Sequence, residues 1–299
     1  MAALKTGPQV VEVGGATIQG IVEQVGPFFD GQTFFSGLTD QMMTEHRNWL
    51  EPRYFEPVTG KVVLMIQSYL VRTRHHIILV DSCVGNHKQR PTRPFWHMMQ
   101  SETYHRNLAA AGVQVSDIDY VMCTHLHGDH VGWNTRLDGG RWVPTFPNAK
   151  YLLADRELDY WMKRHAADAA SCPWIGDSVL PIVEARKAEI VQSDHTLGDV
   201  VRLLPTPGHT IDHFAVQVGT PGHDAIITGD MVHSPIQVRY PELGMFVDHD
   251  SKQSGETRRK IFSHICDTST RLCATHFNAP SVGRIRQWDD GFRFVESDG

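Results

Sequence analysis

This sequence of 299 residues has no long hydrophobic run. No segment approaches the roughly 18 uninterrupted apolar residues that a membrane-spanning helix needs. Residues 1–20 also lack the continuous apolar stretch of a signal peptide. We therefore expect a cytoplasmic protein with no membrane partner.

Cysteine is scarce as well. The five cysteines are odd in number and form no Cys-x-x-Cys pair: Cys83, Cys123, Cys172, Cys266 and Cys273. This pattern argues against a disulfide framework and favours a reducing compartment.

Basic residues are outnumbered by acidic ones. The chain has 28 Lys and Arg against 34 Asp and Glu, which gives a net charge of -6. Binding to phosphates requires clustered basic residues, so we expect no nucleic-acid partner. A short basic run, Arg258-Arg259-Lys260, is predicted to be the solvent-exposed face of a helix.

Histidine, in contrast, is abundant and clustered. The chain has 18 histidines, and residues 123–130, "CTHLHGDH", contain His125, His127, Asp129 and His130. Burying four such polar groups together is costly unless a cation compensates them. This segment therefore predicts part of a metal site.

Three further candidate ligands each follow an apolar β-type run. His209 follows "VVRLLPTPG", Asp230 follows "DAIITG" and His276 follows "TRLCAT". The complete set has five imidazoles, two carboxylates and no cysteine, which is more than a four-ligand structural zinc site uses. We expect two divalent metal ions, zinc first, with manganese, iron or cobalt as alternatives.

The spacing of strands and helices predicts an α+β fold. Dense β-type segments alternate with helical ones at 95–112, 155–167 and 254–267, the last with Ser254 as N-cap, and a hairpin turns at 289–291. This pattern favours an αββα sandwich, two mixed β-sheets flanked by helices. We expect a single domain, 1–299, to which an N-terminal arm of about 1–60 contributes strands and a pocket loop.

The motifs "HLHGDH", "PGHT", "TGD" and "TH" resemble the metallo-β-lactamase-fold superfamily, over nearly the whole chain. The resemblance implies the same αββα fold and two groups of ligands with one bridge. These are His125, His127 and His209 for one metal ion, Asp129, His130 and His276 for the other, and Asp230 between them.

Within this superfamily the sequence is most similar to the N-acyl homoserine lactonases and methyl parathion hydrolase. Class B1 β-lactamases have Cys where Asp230 stands, which disfavours antibiotic hydrolysis. The lactonases have Tyr three positions after the bridging Asp, whereas this chain has His233. We therefore consider Asp129 and His233 the catalytic residues, the first carrying a proton and the second donating one.

The expected reaction is attack by a metal-bridging hydroxide on a lactone or carboxylic ester. Hydrolysis of organophosphate triesters and mononuclear iron persulfide dioxygenase chemistry remain alternatives. A nuclease activity and a metal-binding role without turnover are two further alternatives.

Four aromatic or Met-rich segments suit a hydrophobic substrate: 27–35, 93–99, Trp174 and 242–246. Each could instead pack on the sandwich or at a homodimer interface.

Overall fold

The computed structural model describes residues 10–296, so part of the N-terminal stretch considered above lies outside the described residues. Two seven-stranded mixed sheets pack face to face, with helices on both outer faces. The predicted αββα sandwich is confirmed. No helix within residues 10–296 is long and apolar enough to cross a membrane.

The strands are β1 (Val10–Val13), β2 (Ala16–Asp30), β3 (Phe35–Ser36), β4 (Lys61–Arg72), β5 (Ile77–Val80), β6 (Tyr120–Met122), β7 (Thr135–Asp138), β8 (Arg141–Pro144), β9 (Lys150–Ala154), β10 (Ala188–Val191), β11 (Thr196–Leu197), β12 (Val201–Pro205), β13 (Phe214–Thr220), β14 (His223–Ile227), β15 (Gly244–Met245), β16 (Arg271–Cys273), β17 (Val282–Trp288) and β18 (Gly291–Glu296). The α-helices are α1 (Gly31–Phe34), α2 (Asp40–Leu50), α3 (Thr103–Ala110), α4 (Asp155–Ala167), α5 (Leu180–Glu184), α6 (Pro235–Arg239) and α7 (Ser251–Ile265).

The first sheet has the order β1-β2-β4-β5-β6-β9-β10 and the second β11-β12-β13-β14-β16-β17-β18. Strand β4 shows why they form a sandwich, because its side chains alternate between two hydrophobic layers. Tyr69 and Val71 pack with Val216 of the second sheet between the two sheets. Leu70 points the other way and belongs to the cluster that contains Leu108 of α3.

The ends of five strands meet at one edge of the sandwich. Strands β5 and β6 are parallel neighbours in the first sheet, and β14 and β16 are parallel neighbours in the second. Strand β12 runs in the same direction as β14, because each is antiparallel to β13. The loops that follow these strands therefore lie side by side.

Two predicted helices differ from the structure at their first residues. Helix α4 has the predicted bounds, but the helix predicted at 95–112 begins only at Thr103. Helix α7 begins at Ser251, because Asp250 and not Ser254 is the N-cap; the Asp250 Oδ1 accepts a hydrogen bond from the Gln253 N–H at 3.0 Å. The hairpin of β17 and β18 is confirmed.

The basic run on α7 was predicted to be exposed, and this is wrong for Arg258. Its side chain is fully buried, and it donates hydrogen bonds to three backbone carbonyls, those of Met231, Pro241 and Leu243, at 2.7 to 3.2 Å. Met231 directly follows Asp230 in the chain. Arg258 therefore ties α7 to the loop that carries a candidate metal ligand.

We predict that Arg258→Met lowers the free energy of unfolding by about 3 kcal/mol, because the buried carbonyls lose a charged donor while the apolar stem is kept. Urea unfolding would measure the loss. Arg259→Met is the matched control, because the neighbouring Arg259 side chain is 50% exposed. Equal stability of the two variants would contradict this role.

Candidate metal centre

Seven predicted ligands lie together at the edge of the sandwich. Within each of two groups the ligand atoms lie within 4.8 Å of one another: His125, His127, His209 and Asp230 form one, and Asp129, His130 and His276 form the other. Both of these groups combine residues from the loops of both sheets. Asp230 and His276 also form a third such group with His233.

The first group surrounds one oxygen of Asp230. The Nδ1 of His127 lies 3.1 Å from the Nε2 of His125 and 3.0 Å from the Nε2 of His209. The Oδ2 of Asp230 lies 3.2 Å from the His209 Nε2 and 3.6 Å from the His125 Nε2. Three imidazole nitrogens and a carboxylate oxygen thus converge on one point.

The second group surrounds the other oxygen of Asp230. The Oδ1 lies 2.8 Å from the Nε2 of His276 and 2.9 Å from the Nε2 of His130, and these two nitrogens are 3.3 Å apart. The Asp129 Oδ2 lies 3.7 and 3.9 Å from the same nitrogens. Asp230 therefore faces one group with each of its oxygens.

The geometry fits bound metal better than direct hydrogen bonding. Asp230 Oδ1 is buried and has no hydrogen-bond partner of good geometry among residues 10–296, although two imidazole nitrogens lie within 2.9 Å of it. Ligand atoms about 2.0 to 2.1 Å from a tetrahedral ion lie about 3.3 Å from one another, close to the separations observed here. Imidazole and carboxylate ligands suit divalent metals.

His125, His127 and Asp230 have the charge states that metal ligands need, whereas neighbouring carboxylates overcome the effect of burial and raise the pKa of His130, His209 and His276. Burial, reinforced by neighbouring imidazoles, lowers the pKa of His125 and His127 well below the usual range, which keeps their nitrogen lone pairs free. Burial alone would raise the pKa of Asp230, but the imidazoles of His130 and His276 hold it well below the usual range. The carboxylate is therefore ionised.

In four of the histidines, the ring nitrogen that points away from the centre has a partner. The His125 Nδ1 lies 3.1 Å from the Thr124 Oγ1, and the His130 Nδ1 lies 2.9 Å from the Asp81 Oδ2. The His209 Nδ1 lies 2.9 Å from the Asp248 Oδ1, and the His276 Nδ1 lies 2.9 Å from the Met65 carbonyl oxygen. Such partners fix the tautomer and orientation of ligating histidines. Asp81 also accepts a hydrogen bond from the Thr124 N–H at 2.8 Å, which connects it to the loop that carries His125.

Asp248 was not predicted from the sequence. Its side chain is buried, and it contacts the His209 Nδ1 with one oxygen and the Met245 N–H with the other. The hydrogen bond from His209 overcomes the effect of burial and lowers the pKa of this carboxyl. No local motif marks Asp248, because it lies 39 residues from His209 in the chain.

Glu157 was also missed. One of its oxygens accepts a hydrogen bond from the Leu126 N–H, and the other accepts one from the Asp212 N–H, both at 3.2 Å. These two residues belong to the loops that carry His127 and His209. Its position one turn before Trp161, whose Nε1 donates to it, was a signal available in the sequence.

We predict that Asp248→Asn lowers zinc affinity by about 10- to 100-fold, because the substitution removes the charge that supports His209 and keeps the shape. Competition with a chromophoric chelator would measure the affinity. Asp199→Asn, at an exposed position, is the control. Identical affinities in the two variants would exclude this role for Asp248.

His233 lies beside the two groups of ligands. Its Nε2 is 3.1 Å from Asp230 Oδ2, and its ring stacks on that of His276 with centroids 5.4 Å apart. Phe34 packs edge-on against its other side at 5.6 Å. His233 is thus buried next to the Asp230 carboxylate.

The metal centre opens into a cavity of about 480 Å³. His127, Asp129, Asp230, His233 and His276 line one part of it, and the rest is mainly apolar, with Phe29, Phe34, Leu64, Trp96, Trp174, Met245 and Phe246. All four aromatic or Met-rich segments noted in the sequence contribute to this wall. Some of the same side chains also pack in the cores, so these segments contribute both to the cavity and to the packing of the sandwich.

Comparison with known proteins agrees with this architecture. The "Lactamase-like protein vrtG" of Penicillium aethiopicum is 27% identical over 190 residues, 61% of this chain and 47% of that protein. An "N-acyl homoserine lactonase" of a Bacillus species is 24% identical over 169 residues, 52% of this chain and 59% of its own length. The chain spans about half the length of the curated relatives it matches.

Two solved structures share the fold over nearly their whole length. The hydrolase AbOPH "in beta lactamase superfamily" has a TM-score of 0.82 and 22% identity, covering 99% of both chains. AidC, a "Dizinc Quorum-Quenching Lactonase", has a TM-score of 0.77 and 18% identity, covering 98% of both chains. The family model "Metallo-beta-lactamase superfamily" matches residues 62–276, which include all seven candidate ligands. The chain therefore belongs to the metallo-β-lactamase superfamily.

Proposed function

We propose that this chain is a dinuclear metal-dependent hydrolase of lactones or carboxylic esters with a hydrophobic substituent, and that its two ions are zinc. One observation carries the proposal: the two oxygens of Asp230 face two separate groups of ligands at the end of an aromatic cavity. A single structural ion would not need a bridging carboxylate or an open cavity.

In this proposal His125, His127 and His209 hold one ion, Asp129, His130 and His276 hold the other, and Asp230 bridges them. Bound divalent metal supplies Lewis acidity, which brings the pKa of water toward neutrality and polarises a carbonyl oxygen. The protein fixes the ligands before substrate binds, through Asp81, Asp248 and Glu157.

Two side chains are placed to handle protons and substrate. The Asp129 side chain is 14% exposed, more than Asp230 at 3%, and both residues line the cavity. Its Oδ2 can therefore accept a proton from the attacking water and return it to the leaving alkoxide. His233 can hold a proton at Nε2 beside Asp230, and we assign it the donor role that the lactonase tyrosine position suggests.

The wall of the cavity supports a hydrophobic substrate. Aromatic rings bury apolar acyl or aryl groups efficiently. The names of the Bacillus relative and of AidC point to lactones, which agrees with this chemistry. We further propose that the described chain folds as one domain, because the N-terminal Phe29 and Phe34 complete the same cavity as residues of the second half.

The test combines metal analysis with a matched substrate panel on the purified protein. We expect two zinc ions per chain and turnover of acyl homoserine lactones, simple lactones or aryl esters. Higher turnover of aryl phosphotriesters would favour the organophosphate hydrolase alternative. One iron ion per chain with no ester turnover would contradict the proposal and favour the persulfide dioxygenase alternative.

A further inference from the structure

Arg93, one of two arginines that line the cavity, lies in its apolar wall. It is half-buried, and its guanidinium carbon is 5.4 Å from the ring centroid of Phe29 and 5.5 Å from that of Phe246. Cation–π contacts with two rings hold the guanidinium in place without using its N–H donors. Its hydrogen bond within the described chain is from Nη1 to the carbonyl of the preceding residue, Thr92, at 3.1 Å.

Arg93 has no carboxylate partner among residues 10–296. Within residues 10–296, no carboxylate oxygen lies within 4.0 Å of its guanidinium nitrogens. The nearby Arg90 is different, because Asp177 binds its guanidinium with two hydrogen bonds at 2.7 and 3.0 Å. Arg93 therefore brings to the aromatic part of the cavity a positive charge that no carboxylate of the described residues compensates.

An aromatic wall connects Arg93 to the metal centre. Phe246 contacts Phe34 at 5.8 Å between ring centroids, and Phe34 contacts His233, which lies 3.1 Å from Asp230. A ligand that extends from the metal centre along this wall meets apolar surface first and a cation last. Such a surface complements a molecule with an apolar spacer and a terminal anion.

We propose that Arg93 is a specificity-determining residue that binds a carboxylate at the far end of the substrate. The substrate is then an ester or lactone whose apolar acyl or aryl part ends in a carboxylate. This inference rests on the proposed function, because it names the substrate class of the same site.

The experiment compares paired aryl esters that differ only at the end of the acyl chain. The probes are 4-nitrophenyl monoesters of linear dicarboxylic acids, from succinate to sebacate, and the 4-nitrophenyl esters of the monocarboxylic acids of the same length. We expect a higher kcat/KM for the carboxylate member of a pair. The preference is expected to be small for succinate and to reach a maximum with a longer spacer, because the carboxylate must cross the aromatic wall.

Arg93→Gln should lower the ratio of kcat/KM between the carboxylate and neutral esters by about tenfold, since it removes a charged hydrogen bond at a partly exposed position. Arg93→Lys keeps the charge and should restore part of the ratio. Arg106→Gln, which removes the same charge from the exposed face of α3, is the control and should leave the ratio unchanged. An equal ratio in the wild type and Arg93→Gln would overturn the inference.

A binding experiment separates this inference from the proposed function. Calorimetry would compare suberate with octanoate, which share one carboxylate for the metal centre and differ in the second. We expect tighter binding of suberate by the wild type and no such difference in Arg93→Gln. If no ester or lactone is hydrolysed, the proposed function fails while this comparison still decides the role of Arg93; equal binding of the two acids by the wild type would overturn it.

Discussion

Asp230→Ala is expected to lower hydrolytic activity by about a thousandfold or more and to reduce bound metal from about two ions per chain to about one. Both oxygens of Asp230 face ligand groups, so one substitution removes a ligand from each. It also removes a negative charge that lies 2.9 Å from the His130 Nε2 and 2.8 Å from the His276 Nε2. Two cations bound by the remaining nitrogens would then repel each other, because no carboxylate would lie between them.

The measurement is metal content by elemental analysis, followed by kcat/KM with the preferred ester or lactone at a fixed concentration of free zinc. Asp138→Ala is the matched control, because the Asp138 side chain is 57% exposed in the β7–β8 hairpin and pairs with Arg136. It should retain both ions and full activity. A variant at position 230 with two ions and unchanged turnover would rule out the bridging role.

The convergence of the seven candidate ligands could be predicted from the sequence because they follow strands that share one direction. Each apolar run predicts a buried strand, and a polar group directly after such a strand lies at the edge of the sheet. This placed His209, Asp230 and His276 near the "HLHGDH" segment although they lie far along the chain. The convergence could be expected without knowing the order of the strands.

The supporting residues could not be predicted in the same way. Asp248 and Glu157 are single acidic residues, and each acts through a contact distant in sequence. For Arg258 the local sequence predicted the wrong environment, because three basic residues in a row indicate an exposed helix face. Its side chain is instead buried, and it binds backbone carbonyls 15 to 27 residues away in the chain. Such contacts depend on tertiary packing, which overrides local composition.

Gly229→Ala is expected to lower the free energy of unfolding by about 3 kcal/mol and to weaken metal binding. Gly229 precedes Asp230, the proposed bridge, and has a φ of +51°, a conformation that side chains disfavour. An added Cβ would lie 2.6 Å from the His213 Nε2 and 2.7 Å from the Thr124 Oγ1. His213 accepts the hydrogen bond of the Asp230 N–H at 2.9 Å, so any shift that relieves the clash displaces the carboxylate.

Gly139→Ala separates backbone strain from steric clash as causes of the lower free energy of unfolding. Gly139 has a φ of +54° but nothing within 4 Å of an added Cβ, so its substitution measures backbone strain alone, about 1 kcal/mol. Urea unfolding of both variants with excess chelator removes the contribution of bound metal to stability. The additional loss of unfolding free energy in Gly229→Ala, relative to Gly139→Ala, is then due to the steric clash. Zinc affinity should fall in Gly229→Ala only. If the two substitutions cost the same and both proteins bind zinc normally, close packing at Gly229 does not position Asp230.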